Sequence, residues 1–338
     1  MKDGGPVADI GSIGGFGGFG GKVAGSVSAA VAAGVRRYSP APRAADVPPG
    51  RMISLPGRGS TFVSTAADAA GMDGERPPLL LLHALACTAG LTWFTTFPRL
   101  AEHHAVAMFD QRWHGRGIRA GRRFRIEDLA DDAVAVADAL GIERFVPVGY
   151  SLGGAVAQLV WKRHPDRVSG LVLAATSRNY RVSSLESGFF KVLPPLLSPL
   201  ALKSPPTLHA GALEAGLLSA YEGGHLEGPD LRRWALNELR MTSRATTMNA
   251  LSALGAFDSS AWVGEIDVPT SVVITLRDKA IRTNRQRALA EAIPHAHVFE
   301  VDGGHASLVT HVDEFSTALL DACDAVTKGA RPVPVAVG

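Results

Sequence analysis

Apolar residues along the chain form two kinds of pattern, and the two alternate over most of the sequence. Short runs predicted as buried strands are Leu79 to Leu82, Ala105 to Phe109, Phe145 to Val148, Val168 to Ala175, Thr270 to Thr275 and His297 to Val301. Stretches with apolar residues at helical spacing are Leu91 to Glu102, Ile126 to Leu140, the residues after Gly153, Arg285 to Ile293 and Asp313 to Ala325. This alternation predicts an α/β fold, with a parallel sheet covered by helices on both faces.

The N-terminal residues do not fit this pattern. Residues 1–50 are rich in glycine and then in proline, alanine and arginine, which predicts a flexible tail. A weak helix over residues 22–37 that lies on a membrane surface is an alternative, and Asp3 and Asp9 oppose a secretory signal. No run reaches the roughly 18 apolar residues that a membrane span needs. The ordered domain is expected to begin near Arg51 with a hairpin around Gly57-Arg58-Gly59.

The alternation of strand and helix stops between residues 177 and 268. No convincing strand is found there, and the pattern predicts an all-helical insertion, with helices near Leu213 to Tyr221 and Asp230 to Leu254. The predicted organisation is therefore a core of residues 51–176 and 269–328, a helical cap of residues 177–268, and tails of residues 1–50 and 329–338. An insertion near the carboxyl ends of the strands is well placed to cover a pocket.

Composition and charge narrow the class of protein. Of 338 residues, 46% are hydrophobic and 20% are charged, as in a globular protein with a substantial core. The net charge of +2 gives no electrostatic case for a nucleic-acid partner, and the arginines between Arg112 and Arg125 are interpreted as a solvated loop, with an anionic partner as the alternative. Cys87 and Cys323 have no metal-type or redox-type spacing, which indicates free thiols and a cytoplasmic location.

The pentapeptide Gly149-Tyr150-Ser151-Leu152-Gly153 lies between a predicted strand and a predicted helix. A strand, a sharp turn and a helix expose the central side chain at the strand's carboxyl end, and flanking glycines relieve the crowding of such a turn. Ser151 is therefore the candidate nucleophile. The amide of Leu152, at a helix N-terminus, is suited to stabilise a developing negative charge.

A serine hydroxyl needs a base, and the base needs an acid that orients it. Among the eleven histidines, His305 is the best candidate because it follows the strand His297 to Val301 through a tight loop. Asp278 is the candidate acid because it follows the strand Ser271 to Thr275. The alternatives are a packing or capping role for His305 and a turn cap or a pairing with Arg277 or Lys279 for Asp278.

A negatively charged intermediate needs two hydrogen-bond donors. Leu152 supplies one amide, and Leu85, in the loop after the strand Leu79 to Leu82, is predicted to supply the other, with Ala84 as the second choice. Tyr150 is also predicted to contact the substrate. Cys87, in the same loop as Leu85, is interpreted as a small apolar wall of the site, and no residue is predicted to bind a metal.

Residues 51 to 326 resemble the α/β-hydrolase superfamily, in its serine-nucleophile, capped, esterase or lipase-like branch. The resemblance rests on the GYSLG turn, Asp278, Gly303-Gly304-His305, the His83-Ala84 segment and the loop from Asp110 to Gly117, which is similar to the family's DxRGHGxS loop. It implies a doubly wound, mostly parallel sheet, a helical cap and no cofactor. The sequence departs from the family at Ala84 and Trp113, where the family usually has glycine.

The resemblance and the site together predict hydrolysis of a small-molecule carboxylic ester through an acyl-enzyme on Ser151. Apolar residues of the predicted cap favour an acyl substrate or simply pack the cap onto the core: Phe189, Phe190, Leu193, Leu196, Leu197 and Leu200. The alternatives are C–C bond hydrolysis, cofactor-free perhydrolase activity, acyl transfer, and a lipase tethered by residues 22–37. A non-catalytic ligand-binding protein on the same fold is the alternative of another class. The sequence does not predict an oligomeric state.

Overall fold

The computed structural model describes residues 49–66, 76–119, 125–180 and 229–328. The membrane-surface segment 22–37, the helix predicted near Leu213 to Tyr221, the apolar residues Phe189 to Leu200 and the C-terminal tail 329–338 lie outside the described residues. Most of the predicted N-terminal tail and residues 181–228 of the predicted cap also lie outside them.

The core of the described chain is an eight-stranded sheet. Its strands are β1 (Arg51–Leu55), β2 (Gly59–Thr65), β3 (Leu79–Leu82), β4 (Val106–Phe109), β5 (Val146–Tyr150), β6 (Leu171–Ala174), β7 (Thr270–Thr275) and β8 (His297–Val301). The spatial order is β1-β2-β4-β3-β5-β6-β7-β8. The first hairpin, β1 with β2, is antiparallel, as is the pairing of β2 with β4, and all other pairs are parallel. The α/β fold and the mostly parallel sheet are therefore confirmed.

The helices of the described residues alternate with these strands. They are α1 (Ala89–Trp93), α2 (Phe97–Ala101), α3 (Ile126–Ala139), α4 (Leu152–Arg163), α5 (Pro229–Arg240), α6 (Arg244–Ala256), α7 (Thr283–Ala292), α8 (Ser307–Thr310) and α9 (Val312–Lys328). None of the helices described is both long enough and apolar enough to cross a lipid bilayer.

Strand β3 shows why the sheet is covered on both sides. Its four leucines are fully buried, and they alternate between two separate hydrophobic clusters. Leu80 and Leu82 pack with α3 and α4, while Leu79 and Leu81 pack with α1, α2 and α9. Successive side chains of a strand point to opposite faces, so a continuous apolar run requires a helical layer on each face.

Three predicted elements differ from the structure, and one of them, the helix expected from Asp230 to Leu254, is divided into α5 and α6. The helix expected from Leu91 to Glu102 is two short helices, because Pro98 occupies the first turn of α2 and disfavours a continuous helix through the preceding residue. The strand expected from Val168 to Ala175 begins only at Leu171. Val168 makes a single isolated bridge with Phe145 before the chain bends at Ser169.

The described part of the predicted cap is helical over residues 229–256 but not throughout, since Asn179 and Asp258 form an isolated antiparallel bridge. Helices α5 and α6 lie within residues 177–268, and α5 packs on α1, where the rings of Trp234 and Phe94 meet edge to face at 5.2 Å. Glu238 on α5 accepts a hydrogen bond from Thr88 and forms an ion pair with Arg116 at 3.0 Å. These contacts fix α5 to the loops that follow β3 and β4. The domain boundaries themselves stay a prediction.

A buried ion-pair cluster fastens the loop after β4 to helix α3. Asp132 is fully buried, and Arg112 donates to both of its carboxylate oxygens at 2.7 Å, while Arg58 donates at 2.8 Å. We expect Asp132→Ala to lower the free energy of unfolding by about 3–5 kcal/mol, because it leaves a buried guanidinium without its anion. Urea-induced unfolding followed by circular dichroism measures this loss.

Asp128 provides a matched control on the same helix. It forms a two-point pair with Arg125, but that pair is exposed to solvent. Exposed ion pairs contribute little to stability, so Asp128→Ala should lower the free energy of unfolding far less. Equal losses in the two variants would contradict the structural role of the buried cluster.

Candidate active site

The three side chains predicted to act together meet at the carboxyl ends of the strands. Ser151 follows β5, Asp278 follows β7, and His305 follows β8. The Nε2 atom of His305 lies 3.0 Å from Ser151 Oγ, and its Nδ1 atom lies 2.7 Å from Asp278 Oδ2. The structure thus joins the three residues in a continuous hydrogen-bonded line.

The turn at Ser151 is held in an unusual backbone conformation. Ser151 has φ 55° and ψ −113°, a combination that residues with a side chain rarely adopt. A Cβ at Gly149 would collide with the backbone of Gly153, and a Cβ at Gly153 would collide with the carbonyl of Leu82. Both glycines are therefore required for helix α4 to start this close to strands β5 and β3.

Asp278 is surrounded by donors. Its side chain is fully buried, and its Oδ1 atom accepts from the amides of Ala280 and Ile281 at 2.8 and 2.9 Å. Its Oδ2 atom accepts from Thr275 Oγ1 at 2.9 Å as well as from His305, and Gln286 Nε2 lies 3.2 Å away. Because a carboxylate only accepts, His305 donates from Nδ1, which leaves Nε2 as the acceptor facing Ser151.

The alternative partners of Asp278 are placed elsewhere. Arg277, the neighbour expected to compete for its carboxylate, pairs with Asp302 instead. No hydrogen bond joins Lys279 to Asp278 among the described residues. Asp278 caps its own turn through the Ala280 and Ile281 amides and also contacts His305.

The prediction that Tyr150 contacts the substrate is wrong. Tyr150 is 1% exposed, and its hydroxyl donates to the backbone carbonyl of His305. Its ring packs against Trp93, Phe315 and the imidazole of His305. Tyr150 therefore supports the loop that carries the candidate base.

The predicted oxyanion donors behave differently from one another. The amide of Ala84 donates to Thr92 Oγ1 at 3.3 Å. Ala84, the second choice of oxyanion donor, is therefore not free to donate to a substrate, and that prediction is corrected. Within the described chain, the amides of Leu85 and Leu152 have no hydrogen-bond acceptor. Leu152 opens helix α4, whose first-turn amides have no partner inside the helix. Leu85 and Leu152 remain the candidate pair.

His83 fixes the loop that carries Leu85. Its Nε2 atom accepts from the amide of Gln111 at 2.9 Å, so its Nδ1 atom donates to the carbonyl of Ala84 at 2.8 Å. Burial lowers the pKa of His83 to about 4, and burial together with neighbouring His83 lowers the pKa of His114 to about 3. Both imidazoles are neutral at pH 7 and hold the loops after β3 and β4 together.

Trp113 replaces a glycine of the family pattern at a position with a backbone requirement. Its φ is 65°, in the left-handed region that favours glycine. The substitution therefore places a bulky residue in strained backbone geometry. The amide of Trp113 donates to the carbonyl of Ile118 at 2.8 Å, which helps to close this turn.

Four residues near the site were not found from the sequence. Thr275 and Gln286 contact Asp278, while the hydroxyls of Thr176 and Tyr180 contact the carbonyl of Ser151. Gln286 gives a usable signal, since it is a polar residue on the buried side of α7 beside Leu289 and Ala290. Thr176 and Tyr180 give none that distinguishes them from other loop residues.

Cys87 and Cys323 are free thiols, as predicted, and both are buried. Burial raises the pKa of Cys87 to about 11, and it also raises the pKa of Cys323. The Cys87 thiol is therefore protonated at neutral pH and is a poor nucleophile. Within the described residues, no group of three or more His, Cys, Asp or Glu side chains is arranged to hold a metal ion.

Comparison with known proteins connects this geometry to one family. The family model of the alpha/beta hydrolase fold matches residues 77–312. The "Putative carbamate hydrolase RutD" of Agrobacterium fabrum is 29% identical over 264 residues, which cover 73% of this chain and 93% of that protein. The pimeloyl-[acyl-carrier protein] methyl ester esterase of Chromobacterium violaceum is 30% identical over 73% of this chain and 94% of that protein. A hydrolase from Pseudomonas aeruginosa superposes with a TM-score of 0.66 and 23% identity, over 80% of this chain and 97% of that chain.

The buried, neutral state of His83 gives a pH-dependent stability. The pKa of His83 is about 4 in the folded protein and 6.5 as the ordinary value, so between these values the unfolded chain binds the extra proton. The free energy of unfolding therefore falls as the pH drops from about 6.5 to about 4. We expect His83→Gln to remove about 3 kcal/mol of this fall.

Urea unfolding of both proteins at pH 7 and pH 4.5 measures the difference. Apart from His114, whose pKa His83 also lowers, groups that titrate in this range affect the wild type and the variant alike, so the comparison isolates the His83–His114 pair. The same pH dependence in both proteins would contradict a neutral, buried His83.

Proposed function

The chain belongs to the alpha/beta hydrolase family, and we propose that it is a serine hydrolase that cleaves carboxylic esters of small molecules through an acyl-enzyme on Ser151. The single observation that carries this proposal is the position of His305 between Ser151 and Asp278, at 3.0 and 2.7 Å. Both distances lie within the range for proton transfer along a hydrogen bond.

In the first step Ser151 Oγ attacks the carbonyl carbon of the ester. His305 Nε2 accepts the hydroxyl proton as the new O–C bond forms, and the carbonyl π electrons move to the oxygen. Asp278 stabilises the resulting imidazolium through its hydrogen bond to Nδ1. Collapse of the intermediate breaks the bond to the leaving alcohol, which takes the proton from His305.

In the second step a water molecule takes the place of the alcohol. His305 Nε2 accepts a proton from this water while its oxygen attacks the acyl carbon, and collapse releases the acid and restores the Ser151 hydroxyl. The same imidazole therefore serves as base and then as acid in each half of the reaction. No other titratable group is needed for this cycle.

The intermediate in each half carries its negative charge on the former carbonyl oxygen. The amides of Leu152 and Leu85 are the donors that we propose for this oxygen. Leu152 has the additional advantage of a helix N-terminus, where the dipole of α4 favours an anion. Losing one such donor typically costs about 3 kcal/mol of transition-state stabilisation.

Carbamate cleavage is the second candidate. It is favoured by the name of the Agrobacterium fabrum relative, which is similar along 73% of this chain. A carbamate carbonyl also accepts attack by a serine hydroxyl, so the two candidates share the site and differ in the leaving and retained groups.

The preference for apolar acyl groups rests on residues 189–200, outside the described residues, and is also a proposal.

A substrate panel separates these candidates. We expect measurable hydrolysis of p-nitrophenyl esters of rising acyl length, and we expect Ser151→Ala to reduce kcat by at least about 10⁴-fold because the nucleophile is missing. A p-nitrophenyl carbamate and simple methyl esters, assayed beside the panel, report which acyl class has the highest kcat/KM. Release of p-nitrophenol or acid is the measurement.

The His305→Ala variant belongs to the same experiment, with a similar loss expected. Equal rates for wild type and Ser151→Ala on every substrate would reject hydrolysis at this site. Activity on the carbamate alone would replace the ester assignment by the second candidate.

Asp278→Asn tests the role of the acid. An asparagine at this position favours the wrong imidazole tautomer, so we expect kcat to fall by roughly 10³-fold to 10⁴-fold at pH 7 while KM changes little. Asp302→Asn is the matched control, because Asp302 is the aspartate nearest to His305 in sequence but pairs with Arg277 on the surface. A loss of activity in the control that equals the loss in Asp278→Asn would contradict the assignment of the acid.

A further inference from the structure

The peptide unit of Ser151 is held by more contacts than a helix start requires. Its amide donates to the carbonyl of Ala174 at 3.0 Å, and its carbonyl accepts from the amide of Gly154 at 3.0 Å. Two side-chain hydroxyls approach the same carbonyl oxygen. A strained backbone persists only where the surroundings fix it, so these additional contacts bear directly on the position of the nucleophile.

The two hydroxyls belong to Thr176 and Tyr180. Thr176 Oγ1 lies 2.8 Å from the carbonyl oxygen of Ser151, and Tyr180 Oη lies 3.1 Å from it. The two hydroxyl oxygens are 2.6 Å apart. Each hydroxyl has a single proton, so three short contacts share two donors.

The proton count and the distances together favour one direction for these hydrogen bonds. The two shorter contacts are satisfied together if Tyr180 donates to Thr176 Oγ1 and Thr176 donates to the Ser151 carbonyl. The opposite arrangement uses the longer 3.1 Å contact. Burial raises the pKa of Tyr180 to about 12, so its phenol retains its proton at neutral pH and remains a donor.

We propose that Thr176 and Tyr180 form a hydrogen-bond relay onto the Ser151 carbonyl, and that both are positioning residues for nucleophilic attack. The inference rests on the proposed function, since it assigns Ser151 as the nucleophile. It extends the site to residues 176–180, which include neither a member of the catalytic line of Ser151, His305 and Asp278 nor a proposed oxyanion donor. Neither side chain touches the reacting atoms, and both act through the backbone of Ser151.

The segment that carries the relay is itself firmly anchored. Arg285 on α7 donates to the carbonyl and to the side-chain oxygen of Asn179 at 2.8 and 2.5 Å, directly before Tyr180. Gln158 on α4 donates to the carbonyl of Ser177 at 3.2 Å, and Ser259 donates to Gln158 at 2.6 Å. The chain around Tyr180 is thus bonded to both α4 and α7.

Helix α7 links the two ends of the catalytic line. Arg285 holds the relay segment, and the next residue, Gln286, contacts Asp278. One helix therefore sets the position of the acid and of the segment that supports the nucleophile.

Four variants and a matched control test the relay: Thr176→Val, Tyr180→Phe, the double variant, Thr176→Ser, and Thr327→Val. Thr327 is a buried threonine whose hydroxyl bonds a helix carbonyl at 2.9 Å in α9, away from the site. The measurements are kcat and KM for p-nitrophenyl acetate, normalised to active sites titrated with a fluorophosphonate. The rate at which the fluorophosphonate labels Ser151 is measured separately.

The relay predicts a specific pattern. Thr176→Val should lower kcat and the labelling rate by about 5-fold to 10-fold, the cost of one lost hydrogen bond, while KM changes by less than about 2-fold. Thr176→Ser should restore the wild-type rates because it keeps the hydroxyl. Tyr180→Phe should lower the rates by about 3-fold alone and by less than about 2-fold in the Thr176→Val background, since the relay is already broken there. Thr327→Val should match wild type.

Other outcomes overturn the inference. It fails if Thr176→Val and Tyr180→Phe retain wild-type kcat per active site, if their effects simply multiply, or if Thr327→Val loses as much as Thr176→Val. Labelling in wild type but not in Ser151→Ala, combined with any of these results, leaves the proposed function intact and rejects only the relay. A wild-type protein that neither labels nor turns over substrate rejects both.

Discussion

The backbone at Ser151 is the constraint on which the site depends. A residue with a side chain at φ 55° and ψ −113° is held there by the close start of helix α4 behind strand β5. That approach exists only because Gly149 and Gly153 have no Cβ. It points the hydroxyl out of the sheet's carboxyl edge, where the loops after β7 and β8 bring Asp278 and His305 to within hydrogen-bonding distance.

The site is supported from two directions. From one side, Tyr150 and the helical packing beneath it hold the carbonyl of His305 in place. From the other side, helix α7 contacts Asp278 through Gln286 and holds the segment before Tyr180 through Arg285. Hydrogen bonds, rather than exposed ion pairs, provide this support. Such contacts keep the catalytic geometry fixed before a substrate binds.

The sequence predicted the fold and the three central residues because both follow from local rules. A continuous apolar run such as Leu79 to Leu82 requires a helical layer on each face, and parallel strands bring their carboxyl ends to one edge. Ser151, Asp278 and His305 each lie within four residues of a strand's carboxyl end, so their convergence was predictable from the order of the strands along the chain. Strand ends were less predictable, as at Val168, because pairing partners decide them.

The remaining features depend on contacts between distant parts of the chain. Thr176 and Tyr180 look like ordinary loop residues, and only the folded chain brings them to the carbonyl of Ser151. Tyr150 was misassigned because its neighbour in sequence is the candidate nucleophile, whereas a strand directs successive side chains to opposite faces. Ala84 was misassigned because the acceptor of its amide, Thr92, lies on the following helix.

The central claim is that Ser151 bonds covalently to an acyl group, and trapping that intermediate tests it most directly. The protein is mixed with p-nitrophenyl acetate, quenched in acid within the first turnover, digested and analysed by mass spectrometry. The account predicts a mass increase of one acetyl group on the peptide that contains Ser151, and no such increase in Ser151→Ala. Turnover without acylation of that peptide, or acylation at another residue that persists in Ser151→Ala, would contradict it.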